Sequence, residues 1–524
     1  MTSSRMRPSK GQSQRSAAPS DAPDIFTAAP AIPWKPHGYQ KRAVKFLLEH
    51  AAAALLQDPG LGKTSETLAA IKVLRDKGMV EKVLLVAPKR VAQSTWPREL
   101  KKWEDFSDIH AVVLHGDHKE EVLLGLPADV YIINPDGLPW LLGVSKTKTP
   151  SGKTRVKVDL ARWRKLGFDM LVVDELSKFK DSSTQRFKMM REIVPTFGRR
   201  WGLTGSPAPN GLIDLFGQMY VIDEGRSLGR YVTGYRMRYF TPSWDGHSWD
   251  LQQGAEKEIY KRIKPIALTM AAEDYIKMPR LIENEIRVEL PPEARRVYDQ
   301  LEDHLFAQIR DKVVVASNAA VSSMKCRQVA NGGVYVDDHV AKLIKVKRGR
   351  TREHVDLHDQ KVEAVADLVD ELQGEPLLVA YDFEHDLSRL RARLGQKVPH
   401  IGGGTTAKEA NRLESMWNEG KLPVLLGHPQ SLAHGLNLQG AGRHVCFHSL
   451  TWNFELYDQF IRRVWRQGQK ASRVFVHLIV AEDTVDETVM KALRAKAKGQ
   501  KALFDALRER ASLRGVADFK RGMG

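Results

Sequence analysis

The sequence predicts an α/β protein with two parallel-sheet lobes in tandem and helical insertions between them. Three observations carry that expectation. Short β-branched or Leu-rich runs alternate with amphipathic stretches from about Trp34, the alternation fades after Tyr220, and it resumes at His358. Short runs that are apolar at every position suit strands buried on both faces, as in a parallel sheet covered by helices.

The elements follow in order. Residues 1–31 are rich in Ser, Ala, Pro, Arg and Gln and are expected to be a disordered tail. Residues 32–270 form the expected first lobe, with strands at 54–56, 83–87, 112–114, 130–133, 170–173 and 200–203. The basic stretch 146–157, with Pro150 and Gly152, is expected as a surface loop. From about 220 to 355 the pattern is mostly helical, and 271–355 is assigned to a protrusion or linker. The second lobe is expected at 356–495, with strands at 377–381, 424–426, 443–447 and 474–479, and a basic helical tail at 496–524.

Composition narrows the partners. Lys and Arg number 81 against 64 Asp and Glu, a formal charge of +17. Such an excess suits a polyanion, because cationic side chains on phosphates release condensed counterions. The two cysteines, Cys326 and Cys446, cannot build a four-thiolate zinc site and form no CxxC pair, which suits a reducing cytoplasm. No apolar run is long enough to span a bilayer, and the basic N-terminus lacks the apolar core of a secretory signal.

Two local patterns carry chemistry. Gly60-Leu61-Gly62-Lys63-Thr64 follows an expected strand and, with Ser65, opens a helix. Backbone N–H groups and the helix dipole can hold phosphates there, with Lys63 on the β and γ phosphates and the Thr64 hydroxyl on Mg²⁺. The full pattern has Gly where this chain has Gln57, and a Gly-rich turn at a helix start is the alternative. The second pattern is Met170-Leu171-Val172-Val173-Asp174-Glu175. A buried strand ending in two carboxylates is costly unless a cation or donor is near. Asp174 would hold Mg²⁺ and Glu175 would orient or deprotonate an attacking water; a solvated strand end is the alternative.

In chain order, Tyr39-Gln40, the glycine loop, Asp174-Glu175, Leu203-Thr204-Gly205-Ser206-Pro207, Gly435-Leu436-Asn437-Leu438 and Gln459…Arg463…Arg466-Gln467-Gly468-Gln469 resemble the motifs of superfamily-two helicases in their Swi/Snf-like version. The resemblance spans about residues 34–496 and is nearest to the compact phage and prophage type. It implies two tandem RecA-like lobes and an ATP hydrolase acting with Mg²⁺. Gln40 would read adenine, with Tyr39 as a stacking surface. Thr204, Gly205 and Ser206 would link the ATP state to the cleft between lobes. Gly435 and Asn437 would couple nucleic-acid contact to ATP, and Gln459 would approach the nucleotide. Arg463 and Arg466 are three residues apart, as on one face of a helix. There they would act as arginine fingers on the γ-phosphate. Arg462 is assigned to the surface or to DNA. Lys89, Arg90, the Trp96 region and the loop at Thr405 are the candidate grips on nucleic acid. Where the family's acidic box continues as Ala-His, this chain has Leu176-Ser177.

The resemblance thus implies a monomeric ATP-dependent DNA translocase or helicase with a duplex track favoured and single strands possible. It would work in the cytoplasm, that of a bacterial host if phage-encoded. The alternatives are a strand-separating helicase in phage replication or recombination, and a DNA-binding scaffold with an inactive ATP site.

Overall fold

Val83–Val86 and Val130–Ile133 are apolar throughout, and Met170–Asp174 is apolar up to its final Asp; burial of both faces turns them into the centre of a parallel sheet. The computed structural model describes residues 31–125, 127–148, 154–243, 249–310, 316–337, 340, 354–432 and 435–521. The expected disordered tail, except for its last residue, lies outside the described residues.

The first sheet has seven parallel strands in the order Ala267–Met270, Ala52–Gln57, Arg199–Thr204, Met170–Asp174, Val83–Val86, Val130–Ile133, Ala111–Val113. Side chains alternate across it. Leu84, Val86, Leu171 and Val173 enter one core cluster, and Val83, Leu85, Met170 and Val172 enter the other. The second sheet has six parallel strands in the order Arg280–Val288, Arg473–Ala481, His444–Phe447, Leu377–Ala380, Val424–Gly427, His400–Ile401. It too has a core on each face. These are two tandem RecA-like lobes. No helix among the described residues is long and apolar enough to cross a membrane.

Three boundaries differ from the sequence reading. The interval expected to be helical after Tyr220 begins with helices Val232–Tyr239 and Ala255–Ile263, whose Tyr235, Tyr239, Ile259 and Ile263 belong to the first-lobe core. It then supplies an edge strand to each sheet. Arg280–Val288, inside the stretch assigned to a protrusion, pairs along its whole length with Arg473–Ala481. Its charges alternate with Ile282, Ile286 and Val288 because an edge strand has one solvated face, so it lacks the continuous apolar run of a central strand. The stretch 146–157 contains the two strands of a hairpin, Ser145–Lys148 and Thr154–Lys157, with Pro150 and Gly152 outside the described residues.

The third difference is at the C-terminus. One helix, Val485–Arg521, runs through residue 495, where the sequence reading divides lobe from tail. Its Val489, Met490 and Leu493 pack in the second-lobe core, and its Leu503 packs in the first-lobe core. The helix therefore touches both lobes.

Candidate functional site

The strands Ala52–Gln57, Arg199–Thr204 and Met170–Asp174 are neighbours, with Leu56 opposite Thr204 and Asp174 opposite Leu203. Parallel pairing therefore brings the glycine loop, Thr204 and the acidic pair to one edge, where open α/β sheets bind ligands. Gly60 and Gly62 hold φ of 95° and 99°, which only glycine adopts without strain. A Cβ on Gly62 would also lie 2.3 Å from the Gln40 amide nitrogen. Gly62 caps the helix Lys63–Asp76, which opens toward the loop. The Lys63 ammonium donates to the carbonyls of Gln57 (2.6 Å) and Asp58 (3.3 Å). Burial lowers its proton affinity, and the Glu175 and Asp174 carboxylates oppose that. Ser65 donates to the Gly62 carbonyl at 3.0 Å, and the Leu61 side chain is fully buried in the core.

The acidic pair is held by groups from elsewhere in the first lobe. Asp174 Oδ2 accepts from the indole Nε1 of Trp96 at 2.8 Å. Trp96 is fully buried, so it is no nucleic-acid grip. A buried indole needs an acceptor, but nothing local in the sequence says which one. Glu175 has a left-handed backbone, φ 62°. Its Oε1 accepts from Ser177 Oγ at 2.8 Å and from Thr204 Oγ1 at 3.0 Å. The Ser206 N–H in turn donates to Thr204 Oγ1 at 3.1 Å, so Thr204 joins the acidic pair to the Gly205-Ser206 turn. Desolvation pushes Glu175 up to about 7, and the nearby Glu455 charge adds to the rise.

The second lobe forms the opposite wall. A cavity of about 510 Å³ is lined by Gly60, Gly62, Lys63, Thr64, Asp174 and Glu175 on one side and by Gly435, Asn437, Gln459, Arg463 and Arg466 on the other. The walls nearly touch, since a Cβ on Gly60 would lie 3.7 Å from the Gln467 nitrogen. The two arginines are not on a helix face, because the helix Phe454–Ile461 ends before them. They stand in the turns that follow. Arg463 is buried and donates to the carbonyls of Gln459 (2.9 Å) and Leu436 (3.0 Å). Burial and the Arg466 charge lower it to about 9, so it stays cationic at neutral pH. Arg466 donates to the Asn437 side-chain oxygen. Gly435 holds φ 83°.

Arg462 corrects the sequence reading. It is buried and pairs with Asp458 on its own helix (2.8 Å) and with Asp58 of the first lobe (3.1 Å). It is a strut between lobes rather than a surface or DNA contact. Gln40 lines the cavity while its amide bonds the Leu61 carbonyl (3.1 Å) and the His37 N–H (3.0 Å). Tyr39 is buried, stacked on His37 with centroids 5.4 Å apart.

The remaining candidates lie outside this cavity. Lys89 is exposed. Arg90 donates across the cleft to the Ser431 carbonyl at 3.1 Å. Thr405 lies in a separate cleft of about 560 Å³ with Arg391, Lys397 and Arg412, just before the helix Ala407–Asn418.

Residues 39–334 match the family described as SNF2-related domain, and residues 360–468 match helicase conserved C-terminal domain. Protein p41 of Acyrthosiphon pisum secondary endosymbiont phage 1 is 33% identical over 491 residues, covering 91% of this chain and 99% of that protein. The Bacillus subtilis protein YwqA, whose name describes an ATP-dependent helicase/translocase, is 23% identical over 474 residues, 87% of this chain and 47% of YwqA. The DNA repair and recombination protein RAD54-like of Danio rerio is 23% identical over 509 residues, 87% of this chain and 65% of that protein. The chain thus spans about half the length of YwqA.

Proposed function

The chain belongs to the SNF2-related family and is an ATP-hydrolysing enzyme, and on that premise we propose that it is an ATP-dependent DNA translocase. One observation carries the reading: a single cavity is walled by Lys63, Asp174 and Glu175 from one lobe and by Arg463 and Arg466 from the other. A site divided between two bodies is completed only when they close, so hydrolysis and lobe motion are linked.

The proposed roles follow from placement. Backbone N–H groups of residues 60–65 and the Lys63 ammonium bind the phosphates. Glu175 orients and deprotonates the attacking water. Arg463 and Arg466 stabilise charge that develops on the γ-phosphate. Gln40 and Gln459 face the nucleotide. Thr204, Gly205, Ser206, Gly435 and Asn437 carry the state of the site to the lobe contacts. The oxygen donors Thr64 and Asp174 fit Mg²⁺: Asp174 is pushed up by burial, and among the described residues Trp96 is the side chain bonded to it, through Oδ2. When bound there, Mg²⁺ would neutralise phosphate charge.

The formal charge of +17 suits a polyanion track, and the SNF2-related match and the likeness to the DNA repair and recombination protein RAD54-like support DNA as that polyanion. Lys89 and the Thr405 cleft, with Arg391, Lys397 and Arg412, are the proposed backbone contacts. Arg90 is assigned instead to the contact between lobes. Phosphate contacts carry no sequence information, so little sequence preference is expected. ATP hydrolysis measured with duplex DNA, single-stranded DNA or RNA tests the reading. Stimulation by DNA, with duplex at least as effective as single strands, is expected; stimulation by RNA alone would overturn it. Triplex displacement without fork unwinding separates translocation from strand separation.

A further inference from the structure

Behind Glu175, a second-lobe carboxylate reaches into the first lobe. Glu455 lies in the first turn of the helix Phe454–Ile461 and is buried. Its Oε1 accepts from Ser177 Oγ at 2.8 Å, and Ser177 Oγ is the same distance from Glu175 Oε1. The Ser177 hydroxyl therefore stands between two carboxylates that belong to different lobes, and its single proton serves one of them at a time. Two like charges around one hydroxyl repel, and lysines offset this. Lys180 Nζ lies 3.3 Å from Glu455 Oε2, and Lys178 Nζ lies 3.9 Å from Glu455 Oε1.

On the other side, Glu455 Oε1 is 3.4 Å from the Gln459 amide nitrogen, one helical turn on. Gln459 lines the nucleotide cavity, and its carbonyl holds Arg463. A chain of contacts thus runs from Arg463 through Gln459, Glu455 and Ser177 to Glu175. Ser177 stands where the family's acidic box has an imidazole.

We propose that Glu455 is a positioning residue through which the docked second lobe, by way of Ser177, aims the Glu175 carboxylate. The lobe that brings the arginines then also sets the base on the facing wall. Opening the cleft removes the contact that fixes the Ser177 side chain beside Glu175, so Ser177 is free to turn away and Thr204 is left as the fixed donor to Glu175. Hydrolysis without lobe closure is suppressed twice, by the absent arginines and by an unaimed carboxylate. The inference rests on the ATPase reading above and deepens it.

A double-mutant cycle on the full chain, with saturating duplex DNA, tests it. Glu455→Ala and Ser177→Ala are each expected to lower kcat about tenfold with KM for ATP within about twofold. The double variant should be no slower than the slower single variant. Glu455→Gln should recover most of the rate, since an amide oxygen still accepts from Ser177. A double variant whose losses multiply, a change in KM rather than kcat, or a Glu455→Gln as slow as Glu455→Ala would each overturn the proposal. If Glu455→Ala melts early, Glu455→Gln placed in the Ser177→Ala background replaces it and should change nothing further. Lys63→Ala run beside the cycle separates the two claims: its full activity overturns the nucleotide-site reading, whereas multiplicative losses beside an inactive Lys63→Ala overturn only the role of Glu455.

Discussion

In the first lobe, Lys63, Asp174 and Glu175 stand at the carboxyl edge of the sheet and face a cavity. In the second lobe, the most deeply buried charges line neither of the two cavities described above. Lys361 and Asp486 are essentially without exposure and pair at 2.5 Å, and Lys361 also donates to the Asn331 side chain at 2.9 Å. Those three residues tie the helices Ala316–Asn331, Gln360–Glu371 and Val485–Arg521 together. Asp386, also fully buried, accepts from the Asn331 amide at 3.1 Å. Groups of similar chemistry thus serve different ends. Beside a cavity, incompletely satisfied charge is available to a ligand. Inside a lobe, charge paired with charge, as in Lys361–Asp486, fixes one packing of helices.

The largest expected effect breaks the comparison from the first-lobe side. Lys63→Ala should lower the ATPase rate by at least about a hundredfold while leaving the melting temperature nearly unchanged, because the Lys63 ammonium is bonded to backbone carbonyls rather than to a carboxylate and its loss strands no ion-pair partner. Rate and thermal melt on the same sample check it. Lys361→Ala should do the reverse. It strands Asp486 uncompensated, a loss on the order of 3–5 kcal/mol, and should unfold the second lobe in denaturant before the first. Tryptophan fluorescence of Trp417 and Trp452 against Trp96 and Trp163 would resolve the order; coincident transitions at the wild-type midpoint would contradict it.

A smaller effect is expected at Trp96. Trp96→Phe keeps the ring in the core but removes the donor to Asp174. The predicted result is a several-fold rise in the Mg²⁺ concentration needed for half-maximal hydrolysis. An unchanged Mg²⁺ titration would count against that role.

A further effect is a pH slope. Among the described residues, all the buried histidines lie in the second lobe: His358, His385, His444, His448 and His477. Burial lowers His358 and His477 to about 4 and His448 to about 3. In the unfolded chain these imidazoles take up protons near 6.5, while the folded lobe keeps them neutral. Their contribution is complete above about pH 6.5 and is lost as pH falls toward 4. Thermal melts across that window should show the second lobe weakening first. A first lobe that weakens first would break the comparison.

Much of the nucleotide wall in the first lobe was legible because it is local. A glycine loop after a strand and two acids ending another strand announce their geometry by spacing, and parallel pairing does the rest. Central strands such as Val130–Ile133 were equally plain, since burial on both faces demands an unbroken apolar run. The edge strands Ala267–Met270 and Arg280–Val288 were not recognised. The first is a brief run among helices, and the second mixes charges into its pattern because one face meets water. Arg462 and Trp96 were misassigned for a related reason: each is buried against a partner distant in the chain, Asp58 for one and Asp174 for the other.

By itself the sequence determined the two-lobed α/β plan, the order of its motifs, and which short segments carry the lysine, the acids and the arginines, because those depend on local spacing and on alternation of burial. Only the tertiary structure decided which distant group answers each buried charge: Trp96 for Asp174, Asp58 for Arg462, Asp486 for Lys361 and Ser177 for Glu455. The partner of a buried charge is whatever donor or acceptor packing carries to it. Separations such as 278 residues between Ser177 and Glu455 leave no local trace of that meeting.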